Sequence, residues 1–322
     1  MNFTFSLADL DRAADLIRGF MPPTAQYNWP LLSARSGADV WVKHENHTPI
    51  GAFKVRGGIN YMHRLKEHDP HVSTVISATR GNHGQSIGFA AATVGLAAKI
   101  LVPRGNNPEK NDAMRALGVD LIEHGEDFQE AAEHAAFLAA EEGYHMIPSF
   151  HPWLVQGVSS YGLELFRAVA DLDAVFVAVG MGSGICSLIT ARDALGLKTR
   201  IYGVVAENAP AYALSFQAGK VVNTNSADTL ADGVACRSPV QAALDIMLRG
   251  AADIITIDEH EILAAMAYYL TDTHNLTEGA GALPLAALLK RRDDFAGQRI
   301  GLIMSGGNAD RALIEQMMKE QP

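Results

Sequence analysis

An α/β fold with largely parallel sheets, divided into two three-layer domains, is what this sequence predicts. Three observations predict it. Short apolar runs alternate with segments whose apolar residues recur at helical spacing, the pattern of strand–helix–strand crossovers. Several runs are apolar at nearly every position, as strands covered on both faces require. A seam with two prolines, MIPSFHPW at 146–153, separates two blocks of the pattern. We place a domain boundary there and a second chain crossing near 67–71. Residues 71–150 then form a small domain, and 1–70 with 151–322 form a large one.

The elements follow in order. The first 20 residues lack the basic start and unbroken apolar run of a signal peptide, and they read as a helix opened by Ser6 as a cap. VWVK at 40–43 is the first strand, followed by a Pro-x-Gly turn and a helix beginning near Phe53. VSTVIS at 72–77 leads to a helix over 85–94, and AKILV at 98–102 to one over 111–117. DLIE at 120–123 precedes a helix over 128–142. Beyond the seam, AVFVAV at 174–179, IYGVV at 201–205, IITI at 254–257 and RIGLIM at 299–304 are strands, with a helix over 259–269.

Composition narrows the function. The chain has 322 residues, 48% of them hydrophobic, enough for a sizeable core. Its net charge of -10 argues against a nucleic-acid or anionic-membrane partner. The densest basic run, Lys290-Arg291-Arg292, is followed at once by Asp293 and Asp294. No apolar run approaches the roughly 20 residues of a membrane-spanning helix. Two cysteines, Cys186 and Cys236, make no disulfide framework and point to a reducing, cytoplasmic setting.

Ligands of open α/β sheets bind at the carboxyl ends of strands, and four loops there could carry chemistry. Lys54 falls in the first turn of the helix after strand 40–43. The helix dipole disfavours a cation there, which suits a Schiff-base lysine; a surface lysine is the plainer alternative. Thr79-Arg80-Gly81-Asn82-His83 opens a helix whose backbone amides can hold a carboxylate. Asn82 there can donate to an aromatic hydroxyl oxygen, although a capped turn has the same look. Gly180-Met181-Gly182-Ser183-Gly184 follows the strand AVFVAV and suits a phosphate. Ser305-Gly306-Gly307-Asn308 offers a hydroxyl to a ring nitrogen, or is a tight turn.

A nicotinamide enzyme is the rival reading, with Glu207 holding a ribose after the next strand. Against it, the third glycine of Gly-x-Gly-x-x-Gly falls at Ile185, and Lys54, Asn82 and Ser305 are left without a role. A non-catalytic binding protein of the same fold stays open. His44-Glu45-Asn46-His47 is not His-Glu-x-x-His, and the remaining histidines lack metal-ligand spacing.

Taken together, Gly-Ala-Phe-Lys-Val-Arg-Gly at 51–57, Gly-Asn-His-Gly-Gln at 81–85 and Ser-Gly-Gly-Asn at 305–308 resemble the serine/threonine dehydratase family of fold type II pyridoxal-phosphate enzymes, which includes serine racemases. The likeness covers most of the chain. It implies a large cofactor-binding domain, a smaller mobile one, pyridoxal 5'-phosphate between them, and a homodimer. It also implies that Lys54 holds the cofactor and later moves the Cα proton. Phe53 would pack on the ring, Asn82 would bond the ring oxygen, and Ser305 would meet the ring nitrogen. Gly180, Met181, Gly182, Ser183 and Gly184 would hold the phosphate. Thr79, Arg80, Gly81 and His83 would line the substrate loop. The activity implied is loss of the β-hydroxyl, as water, from a small amino acid of the L-threonine or L-serine type, giving a 2-keto acid and ammonia.

Departures matter. Arg80 stands where the family carries a small residue. Serine racemases use a serine there for proton transfer, and a guanidinium of pKa above about 12 cannot replace it, so little racemase activity is expected. Arg80 could grip an acidic side chain, as of 3-hydroxyaspartate, or sit in a structural ion pair. The wording is also similar to dehydratases of ectoine breakdown. The metal-binding Glu-x-x-x-Ala-x-Asp segment of some relatives reads Glu207 to Ala213 here without its final carboxylate, and no metal is expected. With only a short stretch after Asn308, no isoleucine-sensing domain of the kind found in biosynthetic relatives is expected.

Overall fold

The computed structural model describes residues 3–320. Its strands are β1 (Gln26–Asn28), β2 (Asp39–His44), β3 (Thr74–Ala78), β4 (Ala97–Val102), β5 (Asp120–Glu123), β6 (His145–Met146), β7 (Ala174–Ala178), β8 (Arg200–Ala206), β9 (Ala251–Ile257) and β10 (Arg299–Met304). Its α-helices are α1 (Leu7–Arg18), α2 (Pro30–Ser36), α3 (Lys54–His68), α4 (Asn82–Thr93), α5 (Pro108–Ala116), α6 (Phe128–Glu142), α7 (Pro152–Ala168), α8 (Ser183–Ala194), α9 (Ala211–Ala218), α10 (Gln241–Gly250), α11 (Glu259–Thr273), α12 (Gly279–Lys290), α13 (Arg292–Phe295) and α14 (Arg311–Met317).

All eight expected strands form, and two short ones join them. β1 and β6, three and two residues long, are too brief to show a period. Helix starts reach beyond the apolar pattern. α4 begins at Asn82 rather than at 85, and Asn107 caps α5 with Pro108 in the first position. Ser6 caps α1 as expected, in a reciprocal box with Asp9.

One sheet has six strands in the order β1-β2-β10-β7-β8-β9, and the other has four, β5-β4-β3-β6. Every pairing is parallel except β1 with β2. In the large sheet, successive residues of one strand feed opposite cores. Phe176, Val204 and Leu302 join the cluster with α11 and α12, whereas Val175, Val177 and Val205 join the one with α7 and α8. That two-sided burial is why these strands are continuously apolar. Val55, Ile59 and Met62 of α3 pack with Val75, Ile87 and Ile100 beside the four-stranded sheet.

Register positions the site. Met304 pairs with His44 at the ends of β10 and β2, so the loops that follow emerge side by side. Ala52 and Gly306 form an antiparallel bridge between them. The Phe53 amide donates to the Ser305 carbonyl at 3.0 Å, and the Gly307 amide to the Gly51 carbonyl at 2.9 Å.

Candidate active site

A cavity of about 600 Å³ opens where the loops after β2, β3 and β7 meet. Lys54, Thr79, Arg80, Gly81, Asn82, His83, Gly180, Met181 and Ser183 line it. A smaller recess shares Lys54, Gly180, Met181 and Ser183, and adds Phe53, Gly182, Gly184 and Ser305. All thirteen residues singled out from the sequence therefore line one connected set of walls.

Lys54 is the first residue of α3. Its Nζ lies 4.7 Å from the Phe53 ring centroid and has no hydrogen-bond or ion-pair partner among the described residues. Loss of hydration pushes its pKa down, against the nearby Glu278 carboxylate, which pulls it up. Phe53 is braced edge-on by Tyr161 at 6.0 Å. The Tyr161 hydroxyl in turn donates to the Gly184 carbonyl at 2.9 Å, tying the lysine's neighbour to the glycine loop.

The glycine loop needs its glycines. A Cβ on Gly180 would sit 2.2 Å from the Gly233 carbonyl oxygen, and Gly182 has φ +99°, a left-handed conformation that side chains rarely adopt. α8 begins at once after it, so amides at a helix start face the recess. The Tyr212 hydroxyl fixes the loop from behind by donating to the Met181 carbonyl at 3.0 Å.

The β3–α4 loop turns on Thr79, whose hydroxyl accepts from the Gly81 amide at 3.2 Å. Burial, and then the Lys54 charge, lower His83 to about 4. The imidazole is thus neutral, and its buried Nε2 has no hydrogen-bond partner in the protein. Arg80 is exposed and joins no ion pair among the described residues. The structural ion pair considered for it from the sequence is absent there.

Sequence reasoning missed Glu278, which lines both cavities. Both its oxygens accept from Asn82 Nδ2, at 2.9 and 3.0 Å. Its one local mark is an acid followed by the small-residue run Gly-Ala-Gly-Ala at the start of α12. The segment 225–238 was also missed, although it supplies much of the large cavity's wall. Long irregular connections of this kind are often functional. No group of three or more His, Cys, Asp or Glu among the described residues is placed to hold a metal ion. No described helix is long and apolar enough to cross a membrane.

Comparison with known proteins adds the remaining observations. The family model described as pyridoxal-phosphate dependent enzyme matches residues 17–306. An L-threonine ammonia-lyase of Geobacter sulfurreducens is 33% identical over 94% of this chain and 75% of its own. An L-threo-3-hydroxyaspartate ammonia-lyase of a Pseudomonas species is 30% identical over 98% of both chains. The structure of processed threonine deaminase isoform 2 from Solanum lycopersicum superposes with a TM-score of 0.89 at 28% identity, over 99% of this chain and 95% of that one.

Proposed function

This chain belongs to the pyridoxal-phosphate-dependent enzyme family, and on that premise we propose that it is an ammonia-lyase that removes the β-hydroxyl of a small 3-hydroxy amino acid and releases a 2-keto acid and ammonia. One observation carries the reading: an unpaired lysine with a lowered pKa faces a glycine-built helix start across a shared recess. The residues present fit the cofactor. The Gly180–Gly184 loop, with glycine at three of its five positions, offers amides at a helix start for its phosphate, and Ser305 and Asn82 offer polar groups for its ring.

Bound pyridoxal phosphate supplies the electron sink for bond cleavage at Cα. Lys54 Nζ would hold it, and as a desolvated amine it would be poised to take the Cα proton. Phe53 would pack beside the ring, Asn82 would donate to the ring oxygen, and Ser305, a neutral hydroxyl, would meet the ring nitrogen without imposing a charge on it. The amides of residues 79–83 take the α-carboxylate, and the neutral His83 stands at the same wall. Residues 71–150 act as the small mobile domain. Lys110 pairs with Asp232, and Asn107 Nδ2 donates to Asp310 at 2.8 Å, so this unit latches onto the rest of the chain. The assembly is a homodimer, which sedimentation of the purified protein tests.

A second reading concerns the side chain of the substrate. Arg80 and Arg237 are both exposed, both line the large cavity and neither joins an ion pair among the described residues. Two unengaged guanidinium groups favour a substrate with an acidic side chain, such as 3-hydroxyaspartate. Four acids, Asp127, Asp228, Asp232 and Glu278, line the same cavity; Asp232 is paired with Lys110 and Glu278 accepts from Asn82.

The test is keto-acid and ammonia release from L-threonine, L-serine, 3-hydroxyaspartate isomers and phenylserine, beside Lys54→Ala. Release that Lys54→Ala abolishes supports the proposal. A yellow protein that acts on none of them overturns the elimination reading. Selective release from 3-hydroxyaspartate favours the acidic-substrate reading, and selective release from threonine or serine removes it.

A further inference from the structure

We infer that Glu278 is a positioning residue that orients Asn82 toward the cofactor ring, through a hydrogen-bond chain whose polarity is set by the backbone carbonyl of Ile50. The inference rests on the cofactor site proposed above. Four separate segments build the chain. Asn308 Nδ2 donates to the Ile50 carbonyl at 2.9 Å and to Asn82 Oδ1 at 2.8 Å. Asn82 Nδ2 then donates to both oxygens of Glu278.

Only one direction satisfies every group. A backbone carbonyl only accepts, so the atom of Asn308 that meets it is the amide nitrogen. Asn82 must therefore present its oxygen to Asn308 and its nitrogen to Glu278. Glu278, meeting an N–H donor, serves as acceptor, which a carboxylate does best. The Thr277 hydroxyl and the Glu278 amide both donate to the Gly306 carbonyl, at 3.0 and 3.1 Å, so the end of this chain is anchored as well. The Asn82 flip is thus dictated before any ligand arrives, at a residue that lines the cavity together with Lys54 and Glu278.

Charge follows from the same geometry. Burial raises the Glu278 pKa, while the Asn82 hydrogen bonds, Lys54 and Lys110 lower it and Asp232 raises it further. The carboxylate attracts the Lys54 charge, and so favours a proton on the lysine nitrogen.

The experiment compares wild type, Glu278→Gln and Asn308→Ala by two readouts: cofactor affinity from absorbance titration, and the pH at which the visible band of the bound cofactor titrates. Glu278→Gln removes the charge, so its band should titrate at lower pH than wild type, with affinity weakened about tenfold or more, the scale of a hydrogen bond to a charged group. Asn308→Ala removes the orienting donor and keeps the charge, so affinity should fall without that pH displacement. Circular dichroism establishes folding, and if Glu278→Gln does not fold, Glu278→Asp, which shortens the acceptor and keeps the charge, takes its place with cofactor affinity as the readout. Wild-type affinity in a folded Asn308→Ala, or a wild-type titration in a folded Glu278→Gln, overturns the assignment. A wild-type protein that takes up no colour overturns the cofactor site itself, and this inference with it.

Discussion

Arg56 lies two residues beyond Lys54 on α3, and replacing it with methionine should unsettle both the fold and the site. The guanidinium is fully buried. Its Nε and Nη2 bond both oxygens of Glu45, at 2.7 and 2.9 Å. Nη1 and Nη2 bond both oxygens of Glu164, each at 2.8 Å. Ser160 and Thr24 hydroxyls complete the shell at 3.0 and 3.3 Å. Burial works against its charge, but the two carboxylates outweigh that and raise its pKa. In Arg56→Met, Glu164 keeps Lys43 at 2.6 Å, whereas Glu45 keeps the Thr24 hydroxyl at 2.5 Å and the attraction of Lys43 without a direct ion pair. A buried carboxylate left without its cation costs about 3–5 kcal/mol, a large part of the roughly 5–15 kcal/mol by which a domain is stable. Urea unfolding without added cofactor measures the loss free of ligand effects. Arg56→Met with Glu45→Gln should recover at least about 1 kcal/mol, by removing that charge. A loss under about 1 kcal/mol in the single variant, the size of an exposed pair, or no recovery in the double one, refutes the reasoning.

Other outcomes follow from the same contacts. Gly180→Val drives a Cβ into the Gly233 carbonyl and should weaken cofactor binding about tenfold or more, as read by absorbance titration; unchanged affinity would place the phosphate elsewhere. Burial would raise the Glu164 pKa, but Arg56 and Lys43 outweigh it and hold it low. Its contribution is present above the unfolded pKa and lost as pH falls through the folded one, so Glu164→Gln should be less stable at neutral pH yet lose less on acidification to pH about 3. Arg80→Ala should lower kcat/KM for a 3-hydroxy amino acid with an acidic side chain about tenfold or more and leave that for threonine nearly unchanged; equal losses on both would make Arg80 a carrier of the loop's shape.

Local pattern was enough for much of this molecule. Strand runs such as RIGLIM carry their burial in their own composition, and Ser6 with Asp9 closes a cap within four residues. Lys54, the loop at residues 180–184, Asn82 and Ser305 were legible because each sits beside a strand end or a helix start, where backbone geometry makes the site. The short strands β1 and β6 were not, since two or three residues hold no period and exist only through their partners. Whether a charge is paired, buried or free depends on groups remote in sequence. Glu278 meets Asn82 across 196 residues, and Arg56 meets Glu164 across 108. No window of the chain contains either pair. Tertiary structure alone decided that Glu278 faces Lys54, that Arg56 is saturated and that Arg80 is left free, because desolvation and Coulomb attraction act through space and not along the chain.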